Sequence, residues 1–337
     1  MPSQEDVDKA VEHWGEQLLR PGLRRRGGPG QRPAHRHPTA LSGAAIRAGL
    51  RAIVNRTPEV MVKVTGGGRG MGAIRAHLSY ISRKGELALE NQDGLQLKGR
   101  EHLALLVEEW KFGGGLIPET SHRREAFHVM FSMPPGVDAQ AVYFAARAFA
   151  REEFAAHKYA LVLHDPATDP DSHRPHVHMI VRTQGRDGRR LHPKKAELAR
   201  WRQEFADRLM ERGVAASATR RQSRGVVQPA WKLRDHHRGR NSEKHPAIQS
   251  AQSRTTKHEV LVAWQNVAEA LGQSDNIEDR DLGRQIADFK DDMPTVLRAR
   301  NEWRAHRKQI DRQSDRQQSL ALTKESRRER ERGSPER

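Results

Sequence analysis

The sequence predicts an α+β fold: a mainly antiparallel central sheet with flanking helices, followed by a helical and disordered basic C-terminal region. Three observations lead there. About six strand-like runs fall between residues 58 and 213. Stripes of helical period separate them, and consecutive runs alternate in pattern and connection, as an antiparallel α+β sheet requires. No repeat of about 20–50 residues offers a solenoid instead.

The elements follow in order. Residues 5–19 read as a short helix, and 20–56 as a Pro/Gly-rich basic arm with nine arginines and no acid. PEVMVKVT (58–65) alternates like a strand and ends in GGGRG. Ile74, Leu78 and Ile81 make a helical stripe through 71–84. ELALE and LQLKG flank the turn NQDG, a hairpin signal. A helix over 100–112, a strand over 125–134, a helix over 138–157 and strands over 158–164 and 176–184 come next. The basic turn GRDGRRLHP leads into a helix over 194–213, closed by Gly213.

Beyond it, 214–253 is polar and basic, and two helical stripes follow: Val260, Trp264, Val267, Leu271 and then Leu282, Ile286, Phe289, Met293. These two helices pack on each other or on the main domain. Residues 304–337 hold 11 Lys/Arg against 6 Asp/Glu and almost no apolar residue, which suits a disordered or lone-helix tail. The expected divisions are 1–57, 58–215, 216–303 and 304–337.

Sixty Lys and Arg against 43 Asp and Glu give a net charge of +17. That excess favours a polyanionic partner, nucleic acid first and an acidic membrane surface second. The absence of cysteine excludes disulfides, thiolate metal sites and a thiol nucleophile. No apolar run approaches the roughly 18 residues of a membrane span. The acidic, amphipathic N-terminus does not read as a signal peptide, so the cytosol is the expected compartment.

The most informative stretch is HRPHVHMIV (173–181). In a strand His176, His178 and Ile180 share one face, and Val177, Met179 and Val181 the other. If the preceding strand is the hairpin neighbour, its last residue, His164, sits beside His176. Three imidazoles then converge with coordination positions left open, as in catalytic metal sites. His173 competes as third ligand from the intervening loop. Asp165 is placed to orient an imidazole N–H. Against this stands the plainer possibility that an HxH pair at an exposed sheet end needs no metal. An open metal site in a basic protein points to phosphodiester chemistry with water or a side chain as nucleophile. Of three tyrosines, Tyr143 and Tyr159 read as packing residues. Tyr80 lies off the apolar stripe of its helix, among Arg75, Arg83 and Lys84, placed to meet a phosphate.

SYISRKGELALE (79–90), with Tyr80 before an SRKG turn, resembles motif I of the conjugative relaxases of the MOB-P, T-DNA border-nicking type, within the HUH endonucleases. FHVMFSMP (127–134) resembles their second motif, ending at Ser132, and LHD (163–165) with HRPHVHMIV resembles the third. The resemblance covers about residues 58–215. Two departures stand out: a longer loop between His164 and His176, and Arg182 where the family often has Asn.

The resemblance implies a relaxase palm and a site- and strand-specific nick at the transfer origin of a conjugative or mobilisable element. Tyr80 is the implied nucleophile, forming a 5′-phosphotyrosyl link, with Ser132 positioning the strand. His164, His176 and His178 are the implied ligands of a divalent metal, Mg²⁺ or Mn²⁺. His77 or Asp165 would help remove the phenolic proton. Arg83, Lys84, Arg182, Arg189, Arg190, Lys194 and Lys195 are the candidate DNA contacts.

Implied partners are single-stranded or supercoiled DNA at a transfer origin, accessory relaxosome proteins, a coupling protein and a type IV secretion system, with no membrane insertion. The implied location is the bacterial cytoplasm, with passage to the recipient alongside DNA. Two rival functions remain at this stage. One is a replication or transposition nickase of the same chemistry, disfavoured by a tyrosine that precedes the histidines. The other is a non-catalytic basic DNA-binding protein.

Overall fold

A computed structural model describes residues 2–19, 41–219, 221, 223–225, 251–305 and 307–309, with 251–257 by backbone. The chain divides into two compact units, residues 55–219 and a second from residues up to 54 together with those from 220 onward.

In the first unit, β1 (Met61–Gly68), β2 (Leu89–Asn91), β3 (Gln96–Leu97), β4 (Ala126–Ser132), β5 (Tyr159–His164) and β6 (His176–Arg182) form one sheet in the order β1-β4-β6-β5-β2-β3. Every neighbouring pair is antiparallel. The α+β expectation holds.

Side-chain alternation gives the sheet two covered faces. On one, Phe127, Val129, Phe131, Leu161, Val177, Met179 and Val181 pack against α5 (Ala139–Glu153) and α6 (Lys195–Met210) through Val142, Phe149, Trp201 and Phe205. On the other, Ala126, Ala160, Val162 and Ile180 meet α3 (Met71–Ile81) and α4 (Arg100–Phe112) through Ile74, Leu78, Ile81, Leu106 and Trp110. Burying one such large side chain stabilises by about 1.5–3 kcal/mol, so both layers matter to the fold. Local signals start the elements where they do. The Asp138 carboxylate accepts from Gln140 N and Ala141 N to cap α5. Asn91 Oδ1 accepts from Asp93 N and Leu95 N to close the β2–β3 hairpin.

The start of α3 is fixed from behind. β1 runs on past residue 65, the expected end of its strand, through Gly66–Gly68. Met71 N and Gly72 N then donate to Pro118 O and Glu119 O, so these helix-start amides are satisfied. Arg75 pairs with Glu119 at 2.9 Å. The loop that supplies these carbonyls is held by Arg182. Gly114 and Gly115 adopt φ of 100° and 99°, a region open to glycine, and turn their carbonyls inward. The buried guanidinium of Arg182 donates to the carbonyls of Gly113, Gly114 and Gly115. Arg182 is therefore a scaffold clamp here and not an exposed DNA contact.

The second unit contains α1 (Gln4–Leu19), α2 (Gly43–Val54), α7 (Ala251–Gly272) and α8 (Ile277–Asp291). Their core is Val7, Val11, Leu18, Ile46, Leu50, Ile53, Trp264, Val267, Leu271, Leu282 and Ile286. Arg47 bridges Asp279 at 2.8 Å and Asp8 at 2.6 Å. One expectation changes and another is extended. Residues 43–54 are a helix and not part of an arm, and α7 and α8, which pack on each other as expected, also pack with α1 and α2. Residues 20–40, the rest of that arm, and 310–337, most of the tail, lie outside the described residues; 294–305 are helical.

Arg182→Met leaves three inward carbonyls without their donor. The loss expected in urea denaturation is about 2–5 kcal/mol. Arg189→Ala, on the exposed turn, should stay within about 0.5 kcal/mol of the parent, and equal stability of the two variants would remove the clamp.

Candidate active site

The site grows from the register of three strands. Ser132, His176 and His164 stand in one row across β4, β6 and β5; Met130, His178 and Val162 form the next; His128, Ile180 and Ala160 the third. All these side chains point to the face covered by α3. The rings of His164, His176 and His178 converge, with centroids 4.8, 4.9 and 5.0 Å apart. Above them, α3 brings His77 against His128, stacked at 3.4 Å and nearly parallel, and 6.4 Å from His178. Tyr80, one turn on, is 63% exposed, with its ring 6.2 Å from that of His77.

Burial disfavours the charged form of four of these imidazoles, His77, His128, His176 and His178. It pushes the imidazoles of His77 to about 4 and of His178 to about 3. His128 falls to about 3 through burial first, then the neighbouring His77 and Arg124. His176 is lowered as well, mainly by burial. Neutral imidazoles offer lone pairs. His77 Nε2, His128 Nε2 and His178 Nδ1 are buried without a hydrogen-bond partner.

Second contacts orient the converging rings. His176 Nδ1 lies 3.0 Å from Arg174 O, which leaves its Nε2 as the lone-pair atom. His164 Nδ1 lies 2.6 Å from the Asp169 carboxylate, and its Nε2 lies 2.9 Å from Ile81 O. For Nε2 to face a cation it would have to give up Ile81 O. In the arrangement described, no group of three or more His, Asp or Glu among the described residues is set to hold a metal ion. The residue types, the convergence and the carboxylate behind His164 nonetheless suit a divalent cation once that contact is released.

The turn after Tyr80 is strained. Arg83 and Lys84 have φ of 51° and 58°, left-handed values costing about 1–3 kcal/mol each in non-glycine residues. Ser82 holds the turn, its Oγ accepting from Gly85 N and its carbonyl from Gly85 N and Leu87 N. The conformation places Arg83 Nη2 3.1 Å from Asp169, the carboxylate that also meets His164. The nucleophile candidate and the histidine cluster are thus tied through one carboxylate.

A family model described as "Relaxase: MobA/VirD2-like, nuclease domain" matches residues 80–213, from the exposed tyrosine to the end of the last helix of this unit. This part of the chain is similar to the nuclease domain of that relaxase family. Among curated proteins, the T-DNA border endonuclease VirD2 of Rhizobium radiobacter is 24% identical over 208 residues, covering 53% of this chain and 46% of that protein. The VirD2 of Agrobacterium fabrum strain C58 is 25% identical over 198 residues, 50% and 41% respectively. The match spans less than half the length of either relative.

In this relaxase segment the sequence-derived candidates separate. His164, His176, His178 and Tyr80 come together. His173 is exposed in the 165–175 connection, away from the cluster of rings. Asp165 does not orient an imidazole, since its carboxylate accepts from Ala167 N within a turn; Asp169 takes that place. Ser132 is buried, and its hydroxyl donates to Pro175 O at 3.2 Å rather than facing a strand of DNA.

Lys84, Arg189, Lys194 and Lys195 are exposed, whereas Arg190 is engaged with Arg124 O and Glu125. The turn carrying Arg189 lies beyond the far end of β6, at least about 20 Å along the strand from His176. His128 and Asp169 escaped the sequence analysis. His128 alternates with Met130 and Ser132 in FHVMFS, a signal that was present, whereas nothing in the spacing of the loop marks Asp169.

His128 sits below its ordinary 6.5 only in the fold. The unfolded chain therefore binds the extra proton first, and stability falls as pH drops from about 6.5 towards 3. His128→Gln should narrow the difference between urea midpoints at pH 7 and pH 5. A difference as large as the parent's would mean that His128 does not contribute to the acid response.

Proposed function

We propose that the chain is a strand-specific DNA endonuclease and strand transferase acting at the transfer origin of a conjugative or mobilisable element. The observation that carries this is the exposed Tyr80 standing over three converging histidines within a relaxase nuclease segment. The T-DNA border endonucleases it resembles point to the same class of substrate.

In this reading Tyr80 Oη attacks the scissile phosphorus, the bond to the 3′ oxygen breaks, and the 3′-OH leaves. The 5′ end stays on the enzyme as a phosphotyrosyl ester. One phosphodiester replaces another, so attack by a 3′-OH reverses the step. The phenol must lose its proton as it attacks. His77, one helical turn away with its ring 6.2 Å from that of Tyr80, is the group placed to help remove it, although burial weakens it as a base.

His164, His176 and His178 would hold a divalent cation, which would supply Lewis-acid polarisation of the phosphate oxygens. Imidazole suits Mn²⁺ better than the harder Mg²⁺, and either is proposed. Asp169 fixes the His164 ring, and Ile81 O holds it against the helix that carries Tyr80. The exposed Lys84, Arg189, Lys194 and Lys195 are proposed phosphate contacts that position the strand.

The substrate is single-stranded or supercoiled DNA at the origin, with accessory relaxosome proteins, a coupling protein and a type IV secretion system as partners. No helix among the described residues is long and apolar enough to cross a membrane. The proposed location is the bacterial cytoplasm, with export to the recipient on the transferred strand.

Supercoiled plasmid bearing the DNA that flanks this gene, incubated with the chain and Mn²⁺ or Mg²⁺, should yield one strand-specific nick whose 5′ end carries a Tyr80 peptide. Tyr80→Phe should abolish it; a nick that survives this change would give the reaction a water nucleophile. Calorimetric Mn²⁺ titration supplies a second test. His176→Ala should remove binding, and Asp169→Asn should weaken it about 10–100-fold, whereas unchanged affinity in both would dissolve the assigned site.

A further inference from the structure

Arg83 lies between Tyr80 and the histidines, and one of its donors is unused. Nη2 faces both oxygens of Asp169, at 3.1 and 3.4 Å, and lies 3.7 Å from Asp171. The guanidinium carbon is 5.9 Å from the centre of the Tyr80 ring. Nε, by contrast, is buried and has no hydrogen-bond partner. A guanidinium donor taken out of water is normally satisfied, and one left open beside a nucleophile invites an oxygen. The backbone also pays for this placement: Arg83 keeps a left-handed φ where glycine would rest without strain.

We propose that Arg83 is a catalytic residue, whose Nε–H is donated to a non-bridging oxygen of the phosphate attacked by Tyr80 while Asp169 and Asp171 hold its Nη2. This rests on the relaxase reading above and deepens it. As Tyr80 Oη bonds to phosphorus and the 3′ oxygen departs, charge is redistributed over the non-bridging oxygens. A planar donor already fixed in place stabilises that charge without reorganising, and Arg83 neither gains nor loses a proton in the step. Lysine would bring the charge without the planar fork. One carboxylate then serves both sides of the reaction centre: Asp169 orients His164 with one oxygen and anchors Arg83 with both.

The test uses the full chain, Mn²⁺ and a single-stranded oligonucleotide containing the mapped nick site. Lys and Met at position 83 keep a Cβ and so leave the backbone strain unchanged. Single-turnover nicking should fall about 100-fold or more in Arg83→Lys and Arg83→Met, with Mn²⁺ affinity within about threefold of the parent's. Oligonucleotide affinity should stay within about threefold. A methylphosphonate at the scissile position replaces one charged oxygen with a neutral methyl. On that substrate the Arg83→Met penalty should shrink to about tenfold or less.

In Tyr80→Phe, which holds the strand uncut, the ¹⁵Nε resonance of Arg83 should shift when oligonucleotide is added. Nicking within about threefold of the parent in both variants overturns the proposal. So does an equal penalty on the two linkages accompanied by lost Mn²⁺ affinity, which would reduce Arg83 to a support for Asp169. If the parent chain does not nick, the relaxase reading fails instead. The resonance then decides for Arg83 alone, and an unmoved signal overturns the contact.

Discussion

The register of β6 between β4 and β5 is the constraint on which the site depends. One strand carries two incompatible sets of side chains: Val177, Met179 and Val181 for the core under α5 and α6, and His176 and His178 for the face under α3. A slip of one residue would turn imidazoles into the aliphatic layer and valines into the cleft. The aliphatic set forbids this, because its burial is worth far more than any single histidine contact. The core therefore fixes the register, and the register then brings His164 opposite His176 with no dedicated device. The site inherits its precision from hydrophobic packing on the reverse side of the same strands.

The second positioning problem is the tyrosine, which sits on a helix rather than on the sheet. The apolar stripe of α3, through Ile74, Leu78 and Ile81, settles the rotation of that helix and leaves Tyr80 outward. Axial placement comes from both ends. Pro118 and Glu119 accept the first amides, and the loop bearing them is gripped by Arg182, at the far end of the histidine strand. At the other end Ile81 O meets His164, and the left-handed pair Arg83–Lys84 folds the chain back over Asp169. Such strain persists only where surrounding contacts over-determine the backbone, and the Ser82 and Gly85 bonds provide that here.

The sheet and the convergence of the histidines were legible because both follow from period-two alternation and one hairpin assumption. Tyr80 was legible as a residue off a helical stripe. Asp169, Arg182 and the second unit were harder. Asp169 lies in an irregular loop, where spacing carries no information about which carboxylate folds back. Arg182 reads as a cation leaving a metal strand, and only the tertiary position of Gly113–Gly115 makes it a clamp. The second unit joins segments separated by the whole nuclease unit. The stripe Ile46, Leu50, Ile53 was in plain view, but arginine-rich surroundings outweighed it. Net composition described the solvent face of that helix and hid its buried one.

The same reasoning changes how the +17 charge is understood. Many arginines of the nuclease unit are already committed: Arg123 and Arg190 to Glu125, Arg147 to Glu90, Arg200 to Glu153, Arg208 to Glu152 and Glu211. They stabilise the surface and offer little to a polyanion. On the histidine face itself the cations near the rings include Arg83, anchored by carboxylates, Arg124 beside His128, and Lys63, opposite Met130 in the row of His178. In the reading proposed above, this face acts on one phosphate, and affinity for a length of DNA comes largely from the exposed Arg189, Lys194 and Lys195, where salt-sensitive contacts fix the strand without reading it. On that reading chemistry and grip are separated, and a desolvated histidine cluster persists within a strongly basic protein.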